Sequence, residues 1–244
     1  MKRELKTLCI GREEEGDALP RGSRGTPNAK RQTPNALALA QAKADYVRPM
    51  AKVFVVYHSG YGHTKLQAEA VHRGAASVSD AEIRTTEQAI QNLDELDQAD
   101  AIIFGCPTYM GNISAEMKKF IEAAATKWFT LAWKDKIAGA FTNSSSFSGD
   151  KLNTLIGLVI NAMQHGMIYV GTGLLPSANR PEDMTRPTGP SPEAINRLGS
   201  FTGAMSASFQ VQPPDAPVPG DIETAEAYGR RVAEVTVRWV RARG

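Results

Sequence analysis

Three short polar segments carry the side chains best suited to hold a ligand. The first, Ser59-Gly60-Tyr61-Gly62-His63-Thr64, follows an apolar run and precedes a helical pattern. Hydroxyls at Ser59 and Thr64, close backbone approach at Gly60 and Gly62, and the free N–H groups of a helix start suit a phosphate, which such a loop binds largely without cations. Neither the dinucleotide glycine fingerprint nor a Gly-Lys-Ser/Thr phosphate loop occurs in it, and an ordinary tight turn explains it equally well. The second, Pro107-Thr108-Tyr109-Met110-Gly111-Asn112, offers backbone amides to a ring edge, with Tyr109 and Met110 to lie against a flat face. The third, Thr142-Asn143-Ser144-Ser145-Ser146-Phe147-Ser148-Gly149-Asp150, is dense in hydroxyls and amides. Each alone also reads as a solvated turn, so a binding role depends on whether the three meet.

The elements around them say that they do. Val53-Phe54-Val55-Val56-Tyr57 and Ala101-Ile102-Ile103-Phe104-Gly105 are continuous apolar runs, as in parallel strands covered on both faces. Further strands are expected over 82–86, 137–141 and 167–170. Helices are expected over 63–78, over 114–125 with Ser114 as N-cap, over 149–164 and over 222–241, and a short helical turn opens at 92–94. The stripe Ala225, Tyr228, Val232, Val235 and Trp239 on the last helix reads as core. Strand–helix alternation with right-handed crossovers gives an α/β doubly wound, five-stranded parallel sheet of order 2-1-3-4-5. Strands 1, 3 and 4 are then neighbours, and their C-terminal loops surround the switch point where such sheets bind ligands. The conjunction is stronger than any one loop. One stretch does not suit a minimal fold: residues 173–219 hold nine of the fourteen prolines, broken by a short helix near 192–198. Loops of that length are usually functional, oligomeric or disordered.

Residues 1–49 are rich in Arg, Pro, Asn, Gly and Ala without sustained apolar periodicity, and are expected to be a disordered extension, with Met50 a candidate start. Residues 50–244 are then the folded domain. Residues 1–50 carry ten of the 28 Lys/Arg and six of the 26 Asp/Glu, leaving 18 basic against 20 acidic residues in the rest. A slightly acidic folded part gives no electrostatic reason to expect nucleic acid. Two distant cysteines, Cys9 and Cys106, suggest no disulfide framework, and no apolar run is long enough for a bilayer or a signal peptide. A cytoplasmic protein without membrane insertion is expected, with no metal site.

The segments Val56-Tyr57-His58-Ser59-Gly60-Tyr61-Gly62-His63-Thr64, Gly105-Cys106-Pro107-Thr108-Tyr109-Met110-Gly111-Asn112 and Gln164-His165-Gly166-Met167 resemble the flavodoxin-like NAD(P)H:quinone oxidoreductases of the tryptophan-repressor-binding-protein type, over about residues 52–172. The resemblance implies bound FMN, NAD(P)H as co-substrate and a quinone or similar small acceptor. It puts the phosphate at Ser59, Gly60, Tyr61, Gly62, His63 and Thr64, and the ring at Pro107, Thr108, Tyr109, Met110, Gly111 and Asn112. The third loop adds Thr142, Asn143, Ser144, Ser146, Ser148 and Gly149. Trp128 matches a family tryptophan near the flavin, with a core anchor as the alternative. The family commonly carries arginine at the position of Tyr109 and a glycine-rich third loop, so this chain departs from it in both.

His165 precedes the strand over 167–170 and sits near its N-terminal end, about 17 Å from the C-terminal edge for a strand of about five residues. As the family histidine of the flavin site it must reach a neighbouring subunit, which implies a catalytic His165 in a homo-oligomer, dimer or tetramer. The alternative is a cation capping its own helix. Phe201, Met205 and Phe209 recur at fourfold spacing, as an apolar interface patch would. Competing functional readings are a flavodoxin-type electron carrier, disfavoured because such carriers are very acidic, and an FMN-binding protein without turnover.

Overall fold

The computed structural model describes residues 50–243, and the expectation for residues 1–49 lies outside them. Its strands are β1 (Lys52–Tyr57), β2 (Asp80–Thr85), β3 (Ala101–Tyr109), β4 (Asn112–Ile113), β5 (Ile137–Ser144), β6 (Ile168–Tyr169) and β7 (Ala204–Ala207). β2, β1, β3, β5 and β6 lie side by side in that order, all parallel. Numbering only the five expected strands, this is the order 2-1-3-4-5. β4 folds back on β3 as a short antiparallel hairpin.

Residues alternate between two cores because successive strand side chains point to opposite faces. Val53, Val55 and Ile103 pack with Val71, Tyr228 and Val232 under α1 (His63–Ala76) and the C-terminal α6 (Pro219–Arg243). Phe54, Val56, Ile102 and Phe104 pack with Met117, Phe120, Leu155 and Leu158 under α3 (Ala115–Ala123) and α5 (Lys151–Gln164). α1 and α6 meet backbone to backbone: a Cβ at Gly229 would lie 2.0 Å from the Val71 carbonyl oxygen, and one at Gly74 1.9 Å from that of Glu226.

Several expectations need correction. The strand over 82–86 begins at Asp80, and a helix not anticipated, α2 (Thr86–Gln91), follows it at once. Thr85 caps that helix reciprocally with Gln88, a capping box that satisfies two backbone donors. The turn at 92–94 is a 3-10 helix, Leu93–Gln98. The short helix near 192–198 does not form; that stretch is a series of turns. Residues 173–219 also contain β7, and the reason is a split edge strand. β6 pairs with Ile137 and Ala138, the chain then leaves the sheet, and β7 returns to the same edge of β5 opposite Phe141 to Ser144.

Tyr228 fills the gap between the two pieces. Its hydroxyl accepts from the Ala140 N–H at 3.0 Å and donates to the Val170 carbonyl at 2.7 Å. The phenol thus replaces the ladder bond that Ala140 and Val170 would otherwise share. Gly139 leaves room for it, since a Cβ there would lie 2.8 Å from the phenol oxygen.

Candidate functional site

The C-terminal ends of β1, β3, β5 and β7 open into a cavity of about 420 Å³. Ser59, Tyr61, His63 and Thr64 line it from the first loop, Pro107, Thr108 and Tyr109 from the second, and Asn143, Ser144 and Ser145 from the third. A fourth wall, Ser208, Phe209, Gln210 and Gln212, comes from the segment after β7 and escaped the sequence reading. Its one signal is the Ser206-Ala207-Ser208-Phe209-Gln210 run, which is polar like the other loops but follows no recognisable strand.

The first loop is built as a helix start. Gly62 sits at φ 92° ahead of α1, and Ser59 Oγ accepts from the N–H groups of Gly62 and Lys65, both at 3.1 Å. His63 and Thr64, the first two residues of α1, line the cavity, so the positive end of the helix lies beside it. His63 Nε2 lies 2.8 Å from the Val211 carbonyl, which ties this loop to the fourth wall. Among the described residues, no Lys, Arg, Asp or Glu lines the cavity.

The second loop is anchored from beneath. Thr108 Oγ1 donates to Thr154 Oγ1 at 2.8 Å and lies 2.9 Å from Thr142 Oγ1, which donates to the Cys106 carbonyl at 2.6 Å. These threonines join β3, β5 and α5 directly under the cavity floor. Tyr109 leans over the first loop: its ring meets Tyr61 and His58 edge-on at 6.2 and 6.3 Å, and a Cβ on Gly60 would lie 2.3 Å from its hydroxyl. Burial, with Tyr61 adding to it, raises the Tyr109 phenol above its ordinary value. Ser114 holds the N-cap position of α3 but does not cap it; its hydroxyl pairs with His58 Nδ1 at 2.9 Å and so links the first and second loops. Burial lowers the His58 pKa, against the opposing pull of Glu116 and Glu87, and pushes the Cys106 thiol up to about 11. Cys106 is therefore a buried small residue.

The third and fourth walls are joined through Asn143, whose amide donates to Ser208 Oγ at 3.1 Å and whose carbonyl oxygen accepts from Ser206 Oγ at 2.8 Å.

Not every expected residue lines this cavity. Met110 and Gly111 form the tip of the β3–β4 hairpin at positive φ, and the Met110 side chain points wholly to solvent. Asn112 caps the same hairpin through the Ile113 N–H. Thr142 is buried behind the wall, while Ser146 is exposed on the third loop and Gly149 closes it next to Ser144. Ser148 faces a second, larger cavity beside α5.

Trp128 and His165 are corrected more strongly. Trp128 lies in α4 (Ala125–Phe129) at the opposite edge of the sheet, where the neighbouring Lys127 binds Asp97 just ahead of β3. It is half-exposed and packs on Phe129. His165 ends α5 with 2 % of its surface exposed, its ring stacked on Trp133 at 4.5 Å, and burial lowers its pKa. A ring buried inside its own subunit is not available to a neighbour's site.

A parallel sheet of this order, with a neutral, donor-rich cavity at its switch point, defines a flavodoxin-like α/β protein. Residues 24–181, more than half of the chain, match the NADPH-dependent FMN reductase family, and the chain belongs to that family. It is similar to flavodoxin FldP of Pseudomonas aeruginosa, 43 % identical over 76 % of this chain and 97 % of that one. An NAD(P)H dehydrogenase (quinone) of Syntrophobacter fumaroxidans is 32 % identical over 78 % of this chain and 99 % of its own. Among solved structures, the WrbA-like flavodoxin of Agrobacterium tumefaciens is similar with a TM-score of 0.58 at 39 % identity, covering 77 % of this chain and 98 % of that one.

Proposed function

We propose that this chain binds FMN in the four-walled cavity and works as an oxidoreductase that takes electrons from NAD(P)H and gives them to a quinone or similar small acceptor. The observation that carries the reading is the cavity itself: about 420 Å³ at the C-terminal sheet edge, lined by hydroxyls, amides and aromatic rings, without a carboxylate or a cation among the described residues. That donor set suits a phosphate and a planar heterocycle, and it offers no nucleophile–base pair for hydrolytic or acyl-transfer chemistry. Ser59, Thr64 and the α1 N-terminus would hold the phosphate, while Thr108, Tyr109, Ser144 and Phe209 would border the ring. Bound FMN supplies the redox chemistry, accepting a hydride and releasing two electrons. The protein's own residues position the ring and exclude water from one side.

An electron carrier is the second reading, favoured by the similarity to a protein named flavodoxin. The near balance of 18 basic and 20 acidic residues after residue 50 lacks the acidic docking field of such carriers, and so favours the enzyme. Steady-state oxidation of NADPH by the FMN-loaded protein separates the two. Turnover is expected to be slow without acceptor and to rise by at least about tenfold with a soluble quinone. No NADPH oxidation under either condition would sink the enzyme reading.

The described residues include no helix long and apolar enough to cross a membrane. We place the protein in the cytoplasm as a homo-oligomer. Support for assembly comes from α5, which exposes Leu152, Ile156, Ile160 and Met163 along one face. Light scattering is expected to give a mass of at least twice 26.4 kDa. A monomer at micromolar concentration would reject the oligomer and leave the FMN site untouched.

A further inference from the structure

Lys151 opens α5 directly behind the third loop and is 1 % exposed. All three of its ammonium protons are used inside that loop: Nζ donates to Ser144 Oγ at 2.7 Å, to the Ser146 carbonyl at 2.6 Å and to the Phe147 carbonyl at 3.0 Å. Ser144 Oγ in turn donates to the Ser146 carbonyl at 3.1 Å. Gly149 and Asp150, at φ 53° and 55°, complete the reversal that brings the chain back over its own lysine. At Gly149 a Cβ would lie 2.2 Å from Ser144 Oγ, so this knot has no room for a side chain there.

The peptide units that turn the Ser146 and Phe147 carbonyls toward the ammonium carry the N–H groups of Phe147 and Ser148. A trans peptide sets its N–H opposite its C=O. Those two N–H groups therefore turn away from the buried lysine, and neither has a partner among the described residues. Phe147 and Ser148 line the second, larger cavity, while Ser144 and Ser145 of the same loop line the candidate FMN cavity, and the Phe147 ring meets Phe209 of the fourth wall edge-on at 5.0 Å, so the loop tied to Lys151 forms the partition between the two.

The charge of Lys151 is not cancelled locally. Asp221 of α6 and Arg197 of the segment before β7 are the charged groups acting on it, and they pair with each other through two hydrogen bonds of 2.8 and 3.0 Å. As a unit that pair is neutral.

We propose that Lys151 is the positioning residue of the flavin's third loop: its buried ammonium draws the loop carbonyls inward, fixes Ser144 and Ser145 in the cavity wall, and sets a positive charge directly behind Ser144 that favours added negative charge on the flavin. This rests on the FMN reading of the cavity. Burial lowers the Lys151 pKa to about 8, Asp221 opposing the shift and Arg197 adding to it. A ligand that prefers the charged lysine binds fully below that pH and more weakly as pH rises through it. Tyr109 and Cys106, the shifted acids nearest the cavity, titrate above this range, and His58 is shifted below its ordinary value.

The test is Lys151→Met, close in length but without charge, with FMN affinity read by fluorescence quenching from about pH 7 to 9.5. Wild-type affinity is expected to fall as pH rises through about 8, the variant to bind at least about tenfold more weakly at pH 7 with a flat profile, and its flavin midpoint potential to be more negative. Unchanged affinity, profile and potential in a folded variant would overturn the proposal. If the variant does not fold, the wild-type profile decides, since a flat one overturns it and a break near 8 supports it. Should wild-type protein bind no FMN, the FMN reading fails by itself and chymotryptic cleavage after Phe147 in the apo-protein judges the loop. Cleavage at least about tenfold faster in the folded variant supports the positioning role, and equal rates reject it.

Discussion

Ser59→Asp is expected to abolish FMN binding at micromolar flavin while leaving the fold intact. Ser59 Oγ already accepts from the N–H groups of Gly62 and Lys65 at the start of α1. A carboxylate accepts the same two bonds, and its charge sits well at the positive end of a helix, so melting should hold or rise slightly. What changes is the field over the phosphate site. A phosphate carries a charge of about −1.5 to −2, and one like charge about 4 Å away costs about 4 kcal/mol at an effective dielectric of 20. That corresponds to a loss of roughly a thousandfold in affinity. Fluorescence titration, with circular dichroism as the control for folding, is the measurement. A variant that keeps its flavin within about threefold of wild type would mean that the phosphate lies elsewhere.

Three of the four cavity walls were legible because each follows a strand whose sequence is continuously apolar. Val53 to Tyr57, Ala101 to Phe104 and Ile137 to Phe141 are buried on both faces, and such runs announce a central parallel strand. Once those strands were ordered, their loops had to converge. Which side chains in a loop face the ligand was not legible. Thr142 and Ser144 lie two residues apart on β5, yet one is part of the threonine anchor and the other lines the cavity. Met110 points away because the hairpin β3–β4 turns at Met110 and Gly111, a pairing that sequence alone does not announce.

A family pattern carries no information about the edge of the sheet at which a residue such as Trp128 ends up, whereas His165 lies where its position just before the strand over 167–170 puts it, at that strand's N-terminal end. α3 leaves the cavity and runs back beside the sheet, so whatever follows it, Trp128 included, lies at the far edge. His165 ends α5 for the same reason. The six mostly polar residues of α2 give no apolar periodicity, although Thr85-Thr86-Glu87-Gln88 is a readable capping box.

The fourth wall was hidden by the split of the edge strand, and the same split makes Tyr228→Phe the substitution with the largest expected effect on stability. β7 is Ala204-Met205-Ser206-Ala207, four residues with small side chains and no alternation strong enough to mark a strand. It is a strand because β5 offers it an open edge. Between β6 and β7 that edge leaves the Ala140 N–H and the Val170 carbonyl facing a gap, and the Tyr228 hydroxyl serves both. Tyr228 is fully buried, and burial pushes its pKa up to about 12, so the phenol remains a donor across the physiological range. Phenylalanine keeps the ring and its packing against Val232 and Ala225 in the α1–α6 core, so the change isolates the hydroxyl. Two buried backbone groups then lack partners, at about 1–3 kcal/mol each before relaxation. A net loss of about 3 kcal/mol is expected, which lowers the melting temperature of a domain this size by roughly 6–12 °C. Differential scanning calorimetry of the apo-protein reads it directly. A shift of less than about 2 °C would mean that β6 and β7 close the gap themselves, pairing Ala140 with Val170 as an unbroken strand would.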